Sequence, residues 1–247
     1  MKIPSRTLIA AALATASASA VADGISANVA LATDYRFRGV SQTDNQMALQ
    51  GGFDWSHESG FYAGTWASNV DSQFFSGSDH DPQLEWDLYL GFSGEMDAFS
   101  YDVGILRYIY PGYDDANTTE IYFGGSYSVS DDASIGATLY YSPELKFVGS
   151  ADSAWYLSLS GEMGVAEGVT IHVGAGYSFG DAFDGADSNP DADYNNYWDY
   201  SIGVSGSVAG VDLDLSWIGT DSDGSATTLG FGGVADDTVV LTISKSF

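Results

Sequence analysis

Apolar and polar residues alternate with a period of two in about a dozen segments of roughly ten residues each. Over 83–92, Leu84, Trp86, Leu88, Leu90 and Phe92 share one face, while Gln83, Glu85, Asp87, Tyr89 and Gly91 share the other. A helix would mix the two sets, whereas successive side chains of a strand point to opposite sides. Met47, Leu49, Gly51, Phe53 and Trp55 separate in the same way from Gln46, Ala48, Gln50, Gly52 and Asp54. Val169, Ile171, Val173, Ala175, Tyr177 and Phe179 separate from Thr170, His172, Gly174, Gly176 and Ser178. The pattern predicts strands at 25–37, 46–56, 61–70, 83–93, 99–110, 120–129, 133–142, 153–162, 169–179, 194–208, 211–218 and 237–247.

The connections between these strands alternate in length. Segments 57–60, 94–98, 130–132, 163–168 and 209–210 are short, and 38–45, 71–82, 111–119, 143–152, 180–193 and 219–236 are longer. A membrane barrel with tight periplasmic turns and longer extracellular loops produces this rhythm, and an even strand count returns both termini to the periplasmic side. In a soluble sandwich or lipocalin-like barrel the apolar face would point inward. Here one face is apolar or aromatic nearly throughout and the other is small and polar, which suits a wet lumen behind a lipid-facing wall. Trp55, Phe61, Phe92 and Phe99 gather near one set of strand ends, and Tyr108, Tyr110, Tyr140, Tyr141, Trp155, Tyr197, Trp198 and Trp217 near the other, as interfacial girdles would. The expected fold class is all-β, a transmembrane antiparallel up-and-down β-barrel of about twelve strands.

The N-terminus changes the domain picture. Lys2 and Arg6, the apolar stretch Leu8 to Ala16 and the small-x-small site Ala20-Val21-Ala22 form an export signal, so 1–22 is read as a cleavable signal peptide and 23–247 as the barrel. All 34 acidic residues but only five of the seven basic ones follow Ala22, so cleavage takes the formal net charge of −27 two units further negative. Such a surface repels nucleic acid. The absence of cysteine excludes disulfides and thiolate chemistry.

With the apolar faces on lipid, the acidic residues of the other faces become candidate pore-lining groups: Asp34, Asp54, Glu85, Asp87, Asp102, Glu120, Asp199, Asp212 and Asp214. Arg36 and Arg38, placed on the first strand, stand against them. Walls of opposite sign would set up a transverse field, and the acidic excess would favour cations. The alternative is that these groups pair and plug the lumen, because twelve strands fall between the eight that fill with side chains and the sixteen that leave a channel. The expected function is passive diffusion of small hydrophilic solutes or ions, with a closed structural or surface-interaction barrel as the other reading. Arg107 shares the phase of Val103 and Ile105, which would set it on lipid; either it lies near the outer rim or a bulge turns it inward, and the bulge is the favoured reading.

No catalytic residue or cofactor is expected. A lipid-facing hydrolase triad lacks a base, since His57 falls in a turn, His80 in a loop and His172 in the lumen. Asp187, Asn189, Asp191 and Asp193 alternate like the start of a calcium loop, as Asp221-Ser222-Asp223-Gly224 does, without the glycine and glutamate of the full motif; they are weak Ca²⁺ candidates only. Gly230-Phe231-Gly232-Gly233 lacks the Lys and Ser/Thr of a phosphate loop.

At the C-terminus, Val239, Leu241, Ile243 and Phe247 alternate on one face, resembling the terminal strand by which the barrel-insertion machinery recognises its clients. Lys245 departs from that signal; its stem can lie on lipid while its amine reaches water. Ala32-Thr33-Asp34-Tyr35-Arg36-Phe37-Arg38-Gly39-Val40-Ser41-Gln42-Thr43, Gly60-Phe61-Tyr62-Ala63-Gly64-Thr65-Trp66-Ala67-Ser68-Asn69-Val70, Glu85-Trp86-Asp87-Leu88-Tyr89, Tyr108-Ile109-Tyr110-Pro111-Gly112 and Glu120-Ile121-Tyr122 together resemble the TorF-family porins of proteobacteria. The resemblance spans the mature chain. It implies an outer-membrane barrel with pore activity, surrounded by outer-membrane lipid and lipopolysaccharide, and supplies neither a substrate nor site residues.

Overall fold

The computed structural model describes residues 24–71, 82–146, 150–183, 196–221 and 233–247. The proposed signal peptide, His80, the acidic run Asp187, Asn189, Asp191 and Asp193, residues 222–224 of the second acidic motif, and Gly230-Phe231-Gly232 lie outside them.

Twelve antiparallel strands close into a barrel: β1 (Gly24–Ala32), β4 (Ala48–Ser56), β5 (Phe61–Asn69), β6 (Leu84–Met96), β7 (Phe99–Ile109), β8 (Thr118–Ser130), β9 (Ala133–Ser142), β10 (Ala154–Ala166), β11 (Val169–Phe179), β12 (Tyr197–Val208), β13 (Val211–Thr220) and β14 (Thr238–Ser246). Each pairs with its sequence neighbours, and β1 closes the ring by pairing with both β4 and β14. Two further short strands, β2 (Arg36–Phe37) and β3 (Val40–Ser41), pair only with each other. Closure leaves no sheet edge, which is the condition for strands to sit in hydrocarbon.

The alternation read from sequence sets the two faces. Leu84, Trp86, Leu88 and Leu90 are exposed on the outside, as are Ile121 and Phe123, Ile202 and Val204, and Val239, Leu241 and Ile243, so the outer wall is a continuous apolar band. A soluble protein would hide such a band; a membrane barrel presents it to lipid. The five short turns and both described ends, Gly24 and Phe247, lie at one end of the barrel, and the long connections at the other. At the short-turn rim Lys245 donates to the Gly210 carbonyl at 2.7 Å, its amine 5.7 Å above the Phe247 ring.

Three expectations are corrected. The first strand ends at Ala32 instead of 37, because the chain leaves the wall there; Asp34, Arg36 and Arg38 therefore do not stand on a strand of the barrel, and Arg36 and Arg38 cannot form a basic wall. The alternation continues past Ala32 because β2 is itself extended. Strand β7 carries no bulge: its pairing with β6 and β8 is regular throughout, and Arg107 faces outward close to the long-loop rim, donating to Thr119 Oγ1 at 2.8 Å. Tyr108, Tyr110, Tyr140 and Tyr197, expected in an interfacial girdle, are buried inside the barrel at 1–7 % exposure. Trp198 and Trp217 do face outward.

Candidate functional site

Segment 33–47 folds back into the long-loop half of the lumen. Its core is the hairpin of β2 and β3, in which Phe37 pairs with Val40 across Arg38 and Gly39. Both turn residues have positive φ, +49° and +83°, the pairing of signs that a two-residue primed turn requires. Gly39 is needed for space as well: a Cβ there would lie 2.5 Å from Thr220 Cγ2 and 2.9 Å from Asp199 Cβ. Gly112 has φ +93° with nothing within 4 Å. Gly39→Ala should therefore lower the urea midpoint of the folded barrel in micelles clearly more than Gly112→Ala, which meets only the left-handed backbone cost of about 1–2 kcal/mol. Equal shifts would mean that the hairpin tip is not seated against the wall.

Two arginines hold the hairpin. Arg36 Nε lies 2.5 Å from Asp34, and its guanidinium also donates to the carbonyls of Gly39, Val234 and Asp236 at 3.0, 2.7 and 3.0 Å and to Asn45 Oδ1 at 2.6 Å. Asp34 accepts in turn from Ser41 and Thr43 at 2.5 and 3.0 Å, which closes the segment on itself. Arg38 reaches across to the wall and donates to both carboxylate oxygens of Glu120 at 2.8 Å. Its Cζ lies 4.2 Å from the Tyr156 ring centroid, 4.7 Å from Phe37 and 5.6 Å from Tyr140. Burial opposes the Arg38 charge, but Glu120 together with Tyr108 and Tyr156 outweighs it and the net shift is upward.

The wall supplies tyrosines that the reading of a small, polar lumen missed. Tyr108 and Ser142 donate to Glu120 at 2.9 and 2.7 Å; Tyr35 and Tyr110 donate to the two oxygens of Glu85 at 2.7 and 2.8 Å. Burial, and next the Glu85 charge, push the Tyr35 and Tyr110 hydroxyls well above their ordinary value, so both stay donors. Nearer the short-turn end Tyr62 donates to Asp102 at 2.6 Å and meets the Tyr122 hydroxyl, and Tyr89 donates to Asp54. Tyr156 donates to Asp199 at 3.3 Å. Opposite Tyr62, Tyr89 and Tyr122 in register stand Gly91, Gly64 and Gly104, and these rings occupy the room a Cβ would take. The phase of each strand carried this signal: Tyr108 shares the parity of Asp102 and Gly104.

All eleven predicted lumen residues are accounted for. Glu85, Asp87, Glu120 and Asp214 are buried on the inner wall; Asp54, Asp102 and Asp199 are half-buried there; Asp212 accepts from Ser207 near the short-turn end; Asp34, Arg36 and Arg38 belong to the inserted segment. Asp87 Oδ1, Asp199 Oδ2 and Arg38 Nε are buried without a hydrogen-bond partner. Glu162, which the sequence reading passed over, also faces inward and accepts from Ser134 at 3.0 Å. His172 Nε2 lies 2.6 Å from Asp214, whose other oxygen accepts from Ser216, so the serine engages the aspartate and not the imidazole. His57 sits in a short turn against Ser59. Among the described residues no three His, Asp or Glu side chains converge to hold a metal ion.

Solved structures with this architecture are outer-membrane channels. The KdgM porin superposes with a TM-score of 0.57 at 10 % identity, covering 90 % of this chain and 99 % of its own. The NanC porin gives 0.56 at 9 %, covering 90 % and 98 %. The COG4313 outer membrane channel from Pseudomonas putida F1 gives 0.56 at 10 %, covering 95 % and 100 %. At these identities the likeness is one of fold. No curated protein matches the sequence. Residues 15–247 match the family model described as bacterial protein of unknown function, Gcw_chp, and the chain belongs to that family.

Proposed function

We propose that the chain is a porin-like channel of the outer membrane that passes small hydrophilic solutes or ions by diffusion and prefers cations. The observation that carries this reading is the charge of the inner face. Among the described residues nine carboxylates, Asp54, Glu85, Asp87, Asp102, Glu120, Glu162, Asp199, Asp212 and Asp214, project from its strands, while the only Lys or Arg side chains inside are Arg36 and Arg38. Arg107 faces outward, Lys146 pairs with Glu144 in a loop, and Lys245 lies at the rim. An enclosed surface of one sign concentrates counter-ions and rejects like charge. The TorF-family resemblance and the fold shared with porins point the same way. In this reading the short turns and both ends are periplasmic, 1–22 is removed on export, the Phe247 strand engages the insertion machinery, and lipid and lipopolysaccharide cover the apolar band.

One observation favours a second reading, a closed structural or surface-interaction barrel: the segment bearing Tyr35, Phe37 and Val40 is buried inside the long-loop half of the lumen. Planar-bilayer recording from purified protein in a salt gradient separates the two. The channel reading expects unitary events with a reversal potential of cationic sign. Silence at all voltages would establish the closed barrel, and anionic selectivity would overturn the charge argument.

A further inference from the structure

We infer that the tyrosine and carboxylate lining of the lumen recognises organic cations, guanidinium-bearing solutes above all, and that Arg38 is a tethered occupant of its outermost site. The inference deepens the channel reading and rests on it for solute passage.

The site around Arg38 is built by the wall. Glu120 on β8 is fully buried and is oriented by Tyr108 and Ser142, neither of which belongs to the hairpin. Tyr140 and Tyr156 supply ring faces from β9 and β10. Arg38 Nη2 alone donates to both Glu120 oxygens, and the planar group lies over ring faces, a stacking that favours a guanidinium over a compact ammonium or a hydrated metal ion. The hairpin brings only the cation and the Phe37 ring.

The same chemistry continues toward the short-turn end without a cation from this chain. Tyr62 with Asp102 and Tyr89 with Asp54 repeat the combination of ring and carboxylate. Asp199, which accepts from Tyr156 and lies beside the hairpin tip, belongs to the outer site with Arg38, and its Oδ2 is buried and unpartnered there. Every other Lys and Arg of the mature sequence is engaged elsewhere, Arg36 with Asp34 among them. A bare metal ion is a poor fit, because the described carboxylates do not converge in threes. A weakly hydrated organic cation needs no such cage: one carboxylate and a ring face suffice at each step.

Liposomes carrying the purified protein test this with radiolabelled arginine, its neutral isostere citrulline and potassium. Arginine is expected to enter at least about tenfold faster than citrulline, a difference that one charge-assisted contact supplies. Arg38→Ala vacates the outer site, so arginine should block the potassium current of this variant at about tenfold lower concentration than in the wild type, with citrulline inert in both. Equal entry of arginine and citrulline while potassium passes would overturn the inference and leave the channel standing. No flux of any of the three would remove the channel itself. The wild-type comparison decides even where the variant does not fold.

Discussion

Replacing residues 33–47 with a short turn is expected to raise single-channel conductance several-fold and to increase cation selectivity. The geometry permits the excision, because Ala32 and Ala48 are register partners on β1 and β4, a separation that a turn of about two to four residues spans. What leaves the lumen is bulky: Tyr35, Phe37, Val40 and both arginines, all buried against the wall. What remains is a twelve-stranded ring of a size between filled and open barrels, so the inserted segment decides which it is. Loss of Arg36 and Arg38 also removes the lumen's Lys and Arg complement, hence the shift in reversal potential. Glu85 loses the Tyr35 donor and Glu120 the Arg38 donor, but both then face water. Conductance equal to that of the parent would place the barrier in the tyrosine wall instead of the hairpin.

The barrel was legible because its physics is local. A strand between lipid and a wet lumen must alternate, and a ring must return to its start, so period and loop length together prescribe twelve strands and the side on which the ends lie. The inward carboxylates followed from the same parity. What was not legible depends on contacts distant in sequence. Nothing in Ala32-Thr33-Asp34-Tyr35-Arg36-Phe37 marks the point where the chain leaves the wall, since the inserted hairpin is also extended; the Arg38 to Glu120 contact, 82 residues apart, makes it visible only in three dimensions. The tyrosines differ for another reason: their position near strand ends suggests a girdle, whereas parity places Tyr108 with Asp102 and Tyr140 with Thr138, inside the barrel. Arg107 shows the reverse, an outward arginine that parity placed correctly and that needs no bulge because β7 ends two residues later.

Glu120→Gln is expected to destabilise the barrel by about 3–5 kcal/mol, the cost of stranding one member of a buried ion pair. Arg38 is 4 % exposed, and its guanidinium cannot shed its proton to escape the loss. The neutral amide keeps the shape of the carboxylate but turns one acceptor into a donor that faces Arg38 and either Tyr108 or Ser142, so the cost combines the lost charge with a lost acceptor. Combining it with Arg38→Met should restore most of the stability, since an unbranched apolar side chain can rest against Phe37 and Tyr156 where the guanidinium lay. Denaturant unfolding of the four proteins, wild type, both single variants and the double, gives the coupling directly. A single-variant cost below about 1 kcal/mol would have a specific meaning: an ion pair worth so little is one bathed in water. The outer lumen would then be wet in spite of the hairpin, and the channel would be open as it stands. A large coupling instead describes a dry plug, which the solute's own cation must displace from Glu120 to pass.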